Sequence, residues 1–165
     1  MSDIPSTPAD GNVRVEFVTT IANTGAPTAA EINAGSSVDF SCYITGDGFN
    51  PGLDEAVIAD LRLCDVEVFE QPGRASRTLS ITYIDNTNTA DPNDAAETLI
   101  PGTTGYIVKR SGLAFDTAFA ASQKVEVWPI KAGAFAPQPP EANSVLRRMQ
   151  KLFVTARVQM DVAVA

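Results

Sequence analysis

A chain of 165 residues with 44% hydrophobic side chains suits one ordinary soluble domain, residues 1–165, with no second full domain expected. Its 15 Val, 10 Ile and 15 Thr against 8 Leu favour a mainly β fold, because β-branched side chains pack well on pleated surfaces. The absence of histidine and the presence of only two cysteines exclude imidazole-activated nucleophiles and an all-thiolate zinc site, and the net charge of −8 argues against a grip on nucleic acid.

The opening, MSDIPSTPADGN, has acids and prolines where a secretory signal needs basic residues before an apolar run. Residues 1–11 are expected to be a loose arm, and the protein to be made and kept in a cytoplasm, where thiols stay reduced. No stretch approaches the roughly 20 apolar residues of a membrane span. Residues 13–20 alternate Val13, Val15 and Phe17 against Arg14, Glu16 and Val18, the period of a half-buried strand. Residues 27–34, between Gly25 and Gly35, read as a turn or a short helix at best. Ser36 to Thr45 then places Val38, Phe40, Cys42 and Ile44 on one strand face.

Gly46-Asp47-Gly48 breaks that strand, and the acidic stretch Asn50 to Asp60 reads as a loop or a poorly formed hairpin end. From Leu61 to Gln71 alternation returns, with Cys64, Val66 and Val68 sharing a face. Both cysteines therefore read as small buried hydrophobes. Pro72-Gly73 is a turn signal, followed by a returning strand from Ser76 to Asp85 with Leu79, Ile81 and Tyr83 inward. Asp94 and Glu97 have the spacing of a capping box, which predicts one short helix over residues 95–100, stopped by Pro101-Gly102.

Gly105 to Arg110 predicts a strand, Phe115 to Ser122 an apolar turn, and Lys124 to Lys131 a further strand. Pro129 lacks an amide donor and belongs at an edge, a bulge or a strand end. After the connector APQPPEANS, Lys151 to Val164 alternates for about twelve residues and is the clearest strand in the chain.

Three segments invite chemistry and none sustains it. The oxygen-rich loop Asp85 to Asp94 fails the calcium-loop spacing: from Asp91 the fifth position is Ala95 and the twelfth is Gly102. Gly102-Thr103-Thr104-Gly105, followed by Lys109 and Arg110, leads into a strand where a phosphate loop leads into a helix. Asp54-Glu55 is an acid pair of the kind routine on an acidic surface. No catalytic, cofactor-binding or metal-binding residue is assigned, and no enzyme activity is expected.

Taken in order, PTAAEINAGSSVDFSCYITGDGF (27–49), LCD (63–65), PG (72–73), ETLIPGTTGYIVKRSG (97–112), DTAFAASQKVEVWPIKAG (116–133) and FVTARVQMDVAVA (153–165) resemble the major tail tube proteins of long-tailed phages that infect actinobacteria. The specificity lies in order and spacing, and the departure is between residues 50 and 60. The resemblance implies a β-barrel or sandwich with one short flanking helix. It also implies a structural subunit whose copies close into six-fold rings that stack into a hollow tube, with phage DNA passing through the lumen without specific binding. Tape measure, tail terminator and tail tip proteins are the further partners it implies, and the virion tail, assembled in the host cytoplasm, is the implied location. The competing class is a β-sandwich adhesin or carbohydrate-binding decoration module, weakened by a single Trp and three Tyr for stacking on sugars.

Charge is unevenly placed. Residues 1–100 hold 16 acids and 4 bases, net −12, and residues 101–165 hold 4 acids and 8 bases, net +4. Either this is drift on a solvated surface or the subunit is dipolar and meets its own copies. In the second case Arg147, Arg148 and Lys151 are expected to face acids of a neighbour in the stretch Asp54 to Asp60.

Overall fold

The alternating segments become strands in a computed structural model that describes residues 3–165. In chain order the elements are β1 (Val13–Val18), α1 (Ala29–Ile32), β2 (Val38–Asp39), β3 (Ile44–Asp60), β4 (Phe69–Ile84), α2 (Asp94–Thr98), β5 (Thr104–Ser111), β6 (Lys124–Pro137), β7 (Arg147–Val154) and β8 (Gln159–Ala163). One antiparallel sheet, ordered β2-β1-β5-β6-β7-β4-β3 with β8 also on β6, curls into a half-barrel. The fold is mainly β, as composition indicates, with two short helices where one was expected.

The central strands are covered on both faces, and alternation decides which residue goes where. Ile107, Trp128, Ile130, Leu79, Ile81, Tyr83 and Leu152 pack on one side with Ala95 and Leu99 from around α2. Val108, Val125 and Val127 pack on the other side with Ile32 of α1 and with Phe119. Successive residues of β6 thus feed opposite cores, the expected consequence of a period of two.

Several local readings are corrected. The expected strand over 36–45 is broken in two, Val38–Asp39 and the start of β3 at Ile44; between them the chain turns at Ser41 to Tyr43, with the amide of Tyr43 donating to the carbonyl of Phe40 at 3.0 Å. Cys42 sits on that turn and Cys64 in the loop after β3, so both are exposed free thiols rather than core residues. The capping box belongs to α1, where Thr28 and Glu31 satisfy each other's backbone amides. α2 begins after Asn93 without a side-chain cap, and Asp94 instead accepts a hydrogen bond from the Tyr43 hydroxyl at 2.8 Å.

The largest correction is the hairpin. Residues 50–60 form the outer part of β3, residues 61–68 are the connecting loop, and Pro72-Gly73 lies inside β4. Pro72 opposes Val57 at a register shift, and β4 has no partner there on its other edge, so the missing amide is tolerated. A Cβ on Gly73 would meet the carbonyl oxygen of Ala56 at 2.8 Å. The Pro-Gly pair therefore marks a bulge with close backbone approach, not a turn.

The terminal strand is also modified. β7 and β8 run antiparallel to β6 in the same direction, one along Ile130–Pro137 and the other along Lys124–Val127, with residues 155–158 bulging between them. The single strand expected over 151–164 is thus one track broken in two. Pro129 lies at the break: its carbonyl accepts from the amide of Thr155 at 3.0 Å, and on that side β8 pairing has ended at Val127 while β7 pairing begins at Ile130. A residue without an N–H fits where the ladder is already interrupted.

The N-terminal arm is exposed from Asp3 to Asp10 and lies outside the sheet; the first two residues of the expected arm fall outside the described residues. Its end is tied, since the carbonyl of Gly11 accepts from the amide of Phe115 at 2.9 Å.

Candidate assembly surface

Acidic residues dominate the hairpin of β3 and β4: residues 54–70 contain six acids and one base, net −5. Such a composition opposes burial in the subunit's own core, and the hairpin extends away from it. From Leu61 to Pro72 every residue is exposed, including Leu63 at 110% and Val66 at 101% of full exposure. Val57, Ile58, Val68 and Phe69 are also more than half exposed. So many large apolar side chains exposed on one hairpin make it a candidate binding element rather than the scatter of single apolar residues found on any monomer.

The sheet has unsatisfied edges in the same region. Among the described residues β3 pairs with β4 alone, and β4 pairs with β7 over Leu79 to Ile84 alone, so its outer half from Phe69 to Thr78 has one partner. Among the described residues β8 pairs with β6 alone. Rows of free backbone donors and acceptors invite pairing with another chain.

Most charged residues picked from the sequence are engaged within the subunit. Arg148 is 7% exposed, shares the inward face of β7, and donates to Asp85 at 2.7 Å. Arg147 pairs with Glu141 at 3.1 Å. Of the expected basic cluster, only Lys151 lacks an acidic partner among the described residues, with its ammonium over the Phe153 ring. On the opposing stretch, Asp60 pairs with Arg62 at 3.0 Å, whereas Asp54 and Glu55 carry no such contact among the described residues.

The glycine segment is structural. Gly102 donates to the carbonyl of Ala132 at 2.8 Å, and at Gly105 a Cβ would strike the Phe17 ring at 2.5 Å. Lys109 pairs with Glu126 at 3.5 Å. Arg110, 1% exposed, donates to the carbonyls of Ala114 and Ala118 and to the side chain of Gln123, holding the loop before β6. Among the described residues no three His, Cys, Asp or Glu side chains converge as a metal site would require, and no helix is long and apolar enough to cross a membrane.

The oxygen-rich loop has a clear internal role. Asp85 accepts from Thr87 and Arg148; burial alone would raise its carboxyl, but these hydrogen bonds and the guanidinium charge hold it below the ordinary 3.8. A depressed carboxyl stabilises the fold above its unfolded value, and that contribution is lost as pH falls through the folded value. The melting temperature should therefore drop on acidification below about pH 4, and Asp85→Asn should show a shallower acid limb with a lower plateau at neutral pH. Thermal melts across a pH series check this; parallel curves for the two proteins would refute it.

The sequence missed the hairpin apolars by reading Cys64, Val66 and Val68 as a buried face. The available signal was the six acids threaded among them. Comparison with known proteins adds an independent finding: the model of a family described as phage tail tube protein matches residues 1–165. No curated protein matches. Among solved structures, the fold is similar to a chain in the six-fold symmetrised cryo-EM structure of the anti-feeding prophage (AFP) baseplate. The identity is 12% and the TM-score 0.53, over 96% of this chain and 98% of that one.

Proposed function

The chain belongs to the phage tail tube protein family, and from that premise we propose that it is the tube-forming subunit of a long-tailed phage, assembling with its own copies into stacked rings through which DNA is delivered. A structural role in the phage tail follows from the family match. The ring and the conduit are supported by the exposed hairpin, because an apolar surface including Leu63, Val66 and Phe69 is unfavourable in water unless another chain covers it. Pairing across subunits would also protect the open edges of β3, β4 and β8. A six-membered ring is favoured by the six-fold baseplate in which the structural neighbour is found. The net charge of −8 suits a conduit that repels phosphate and lets DNA slide. Tape measure, terminator and tip proteins would meet the tube at its ends, and an actinobacterial host is the setting the sequence resemblance favours.

Electron microscopy of the purified, concentrated protein tests the reading. Rings or tubes are the expected result, and a strict monomer at high concentration would overturn it.

A further inference from the structure

The sheet splits at one place. β4 and β7 pair as far as Leu79 and Leu152, and the two strands then part: β4 continues with β3, while β7 passes through its bulge into β8 along β6. Between them opens a cleft of about 580 Å³ walled by Ala75 to Arg77 on β4 and by Val154 and Ala156 to Met160 on the β7–β8 track. Among the described residues, neither wall's strand edge has a partner on the cleft side.

We propose that this cleft receives the hairpin tip, residues 61–70, of a second copy of the chain, an inference that rests on the reading of the protein as a self-assembling tube subunit. Three features match donor to acceptor. Charge is complementary: Arg77 and Arg157 flank the cleft without an acidic partner among the described residues, whereas residues 54–70 of the hairpin are net −5. Apolar chemistry matches, since Val154, Ala156 and Met160 line the cleft and Val66, Val68 and Phe69 lie exposed on the tip. Backbone chemistry matches as well, because a peptide segment entering between two open edges gains strand-type hydrogen bonds.

The hairpin's own cleft is out of its reach. β4 is both a wall of the cleft and an arm of the hairpin, and from Arg77 to Phe69 it runs outward for roughly 25 Å at about 3.3 Å per residue. The contact is therefore between copies and head to tail, the heterologous kind that propagates into rings or stacks.

Two complementary variants test the match. Arg77→Glu with Arg157→Glu disables the cleft and keeps the hairpin; Val66→Asp with Val68→Asp does the reverse. Each alone should stay monomeric, with the melting curve of wild-type protein diluted below its assembly concentration, and a one-to-one mixture should form a heterodimer and nothing longer in sedimentation velocity. Wild-type polymerisation by the cleft variant overturns the cleft as acceptor while leaving the tube reading intact. If the wild-type protein itself forms no assembly and the mixture no heterodimer, both readings fall. As a second measurement, Cys42→Ser, Ala156→Cys protein left to assemble in the presence of oxidised glutathione, which takes up the two electrons as reduced glutathione, should give a ladder of oligomers linked by disulfides between Cys64 and the thiol introduced at position 156; monomer alone on a non-reducing denaturing gel overturns the proposal.

Discussion

Leu63→Asp combined with Val68→Asp at the hairpin should abolish assembly and leave the subunit folded. Both side chains are exposed in the subunit, so the substitutions remove no core contact and should change its stability by no more than about 0.5 kcal/mol. In an assembly that buries them, each apolar side chain contributes about 1.5–3 kcal/mol. Losing two therefore weakens each subunit joint by about 3–6 kcal/mol, which at about 1.4 kcal/mol per tenfold raises the critical concentration at least 100-fold. Buried carboxylates would add a further desolvation cost.

The readouts are the concentration at which light scattering appears and the reactivity of the native thiol at Cys64, which lies in the exposed loop. In Cys42→Ser protein, assembly should protect Cys64 from maleimide, and the hairpin variant should lose that protection. Scattering at the wild-type concentration with Cys64 still reactive would place the contact elsewhere.

The same hairpin shows where sequence reading succeeds and fails. Alternation located β1, β5, β6 and the inner half of β4 because those strands are buried against a core, which forces every second residue to be apolar. Outside the core that pressure disappears. Residues 54–75 form a hairpin with both faces exposed, so apolar alternation there does not report a buried face, and Pro72-Gly73 serves a bulge rather than a turn. The cysteines were misplaced for a related reason: a local apolar alternation around residue 64 was read as burial although the surrounding acids opposed it. The cleft is less legible still, because it arises where β4 and β7 diverge, a tertiary event with no local signature.

Polar residues in the core were missed by a different route. Extending the final strand backward from Leu152 in steps of two reaches Gln150 and Arg148 on its inward face, and a polar residue is by default assigned to solvent. Gln150 is 1% exposed and every polar group it carries is matched. Its carbonyl accepts from the Tyr83 hydroxyl at 2.7 Å; its amide donates to the carbonyls of Leu99 at 2.8 Å and Gly133 at 2.7 Å. One side chain thereby joins β4, β6, β7 and the segment after α2.

Gln150→Leu should be among the most destabilising single substitutions in the chain. Leucine fills nearly the same space, so the loss is polar rather than a cavity: a buried hydroxyl and two buried carbonyls lose their partner. Each orphaned group costs about 1–3 kcal/mol, and allowing for relaxation the total should be about 3–5 kcal/mol. For a domain of this size, with about 2–4 °C per kcal/mol, the melting temperature should fall by about 6–20 °C. Tyr83→Phe removes only the hydroxyl bond and should cost about 1–2 kcal/mol. Gln150→Glu places an unpaired charge in the core at neutral pH, so it should be worse than Gln150→Leu there and recover part of its stability as acid protonates the carboxyl. Thermal melts of the three variants at pH 7 and pH 5 check the order. Near wild-type stability of Gln150→Leu would show that the junction is held by packing alone. A loss of the stated size would identify Gln150 as the tie beside Leu79 and Leu152, where β4 and β7 begin to part and the cleft opens.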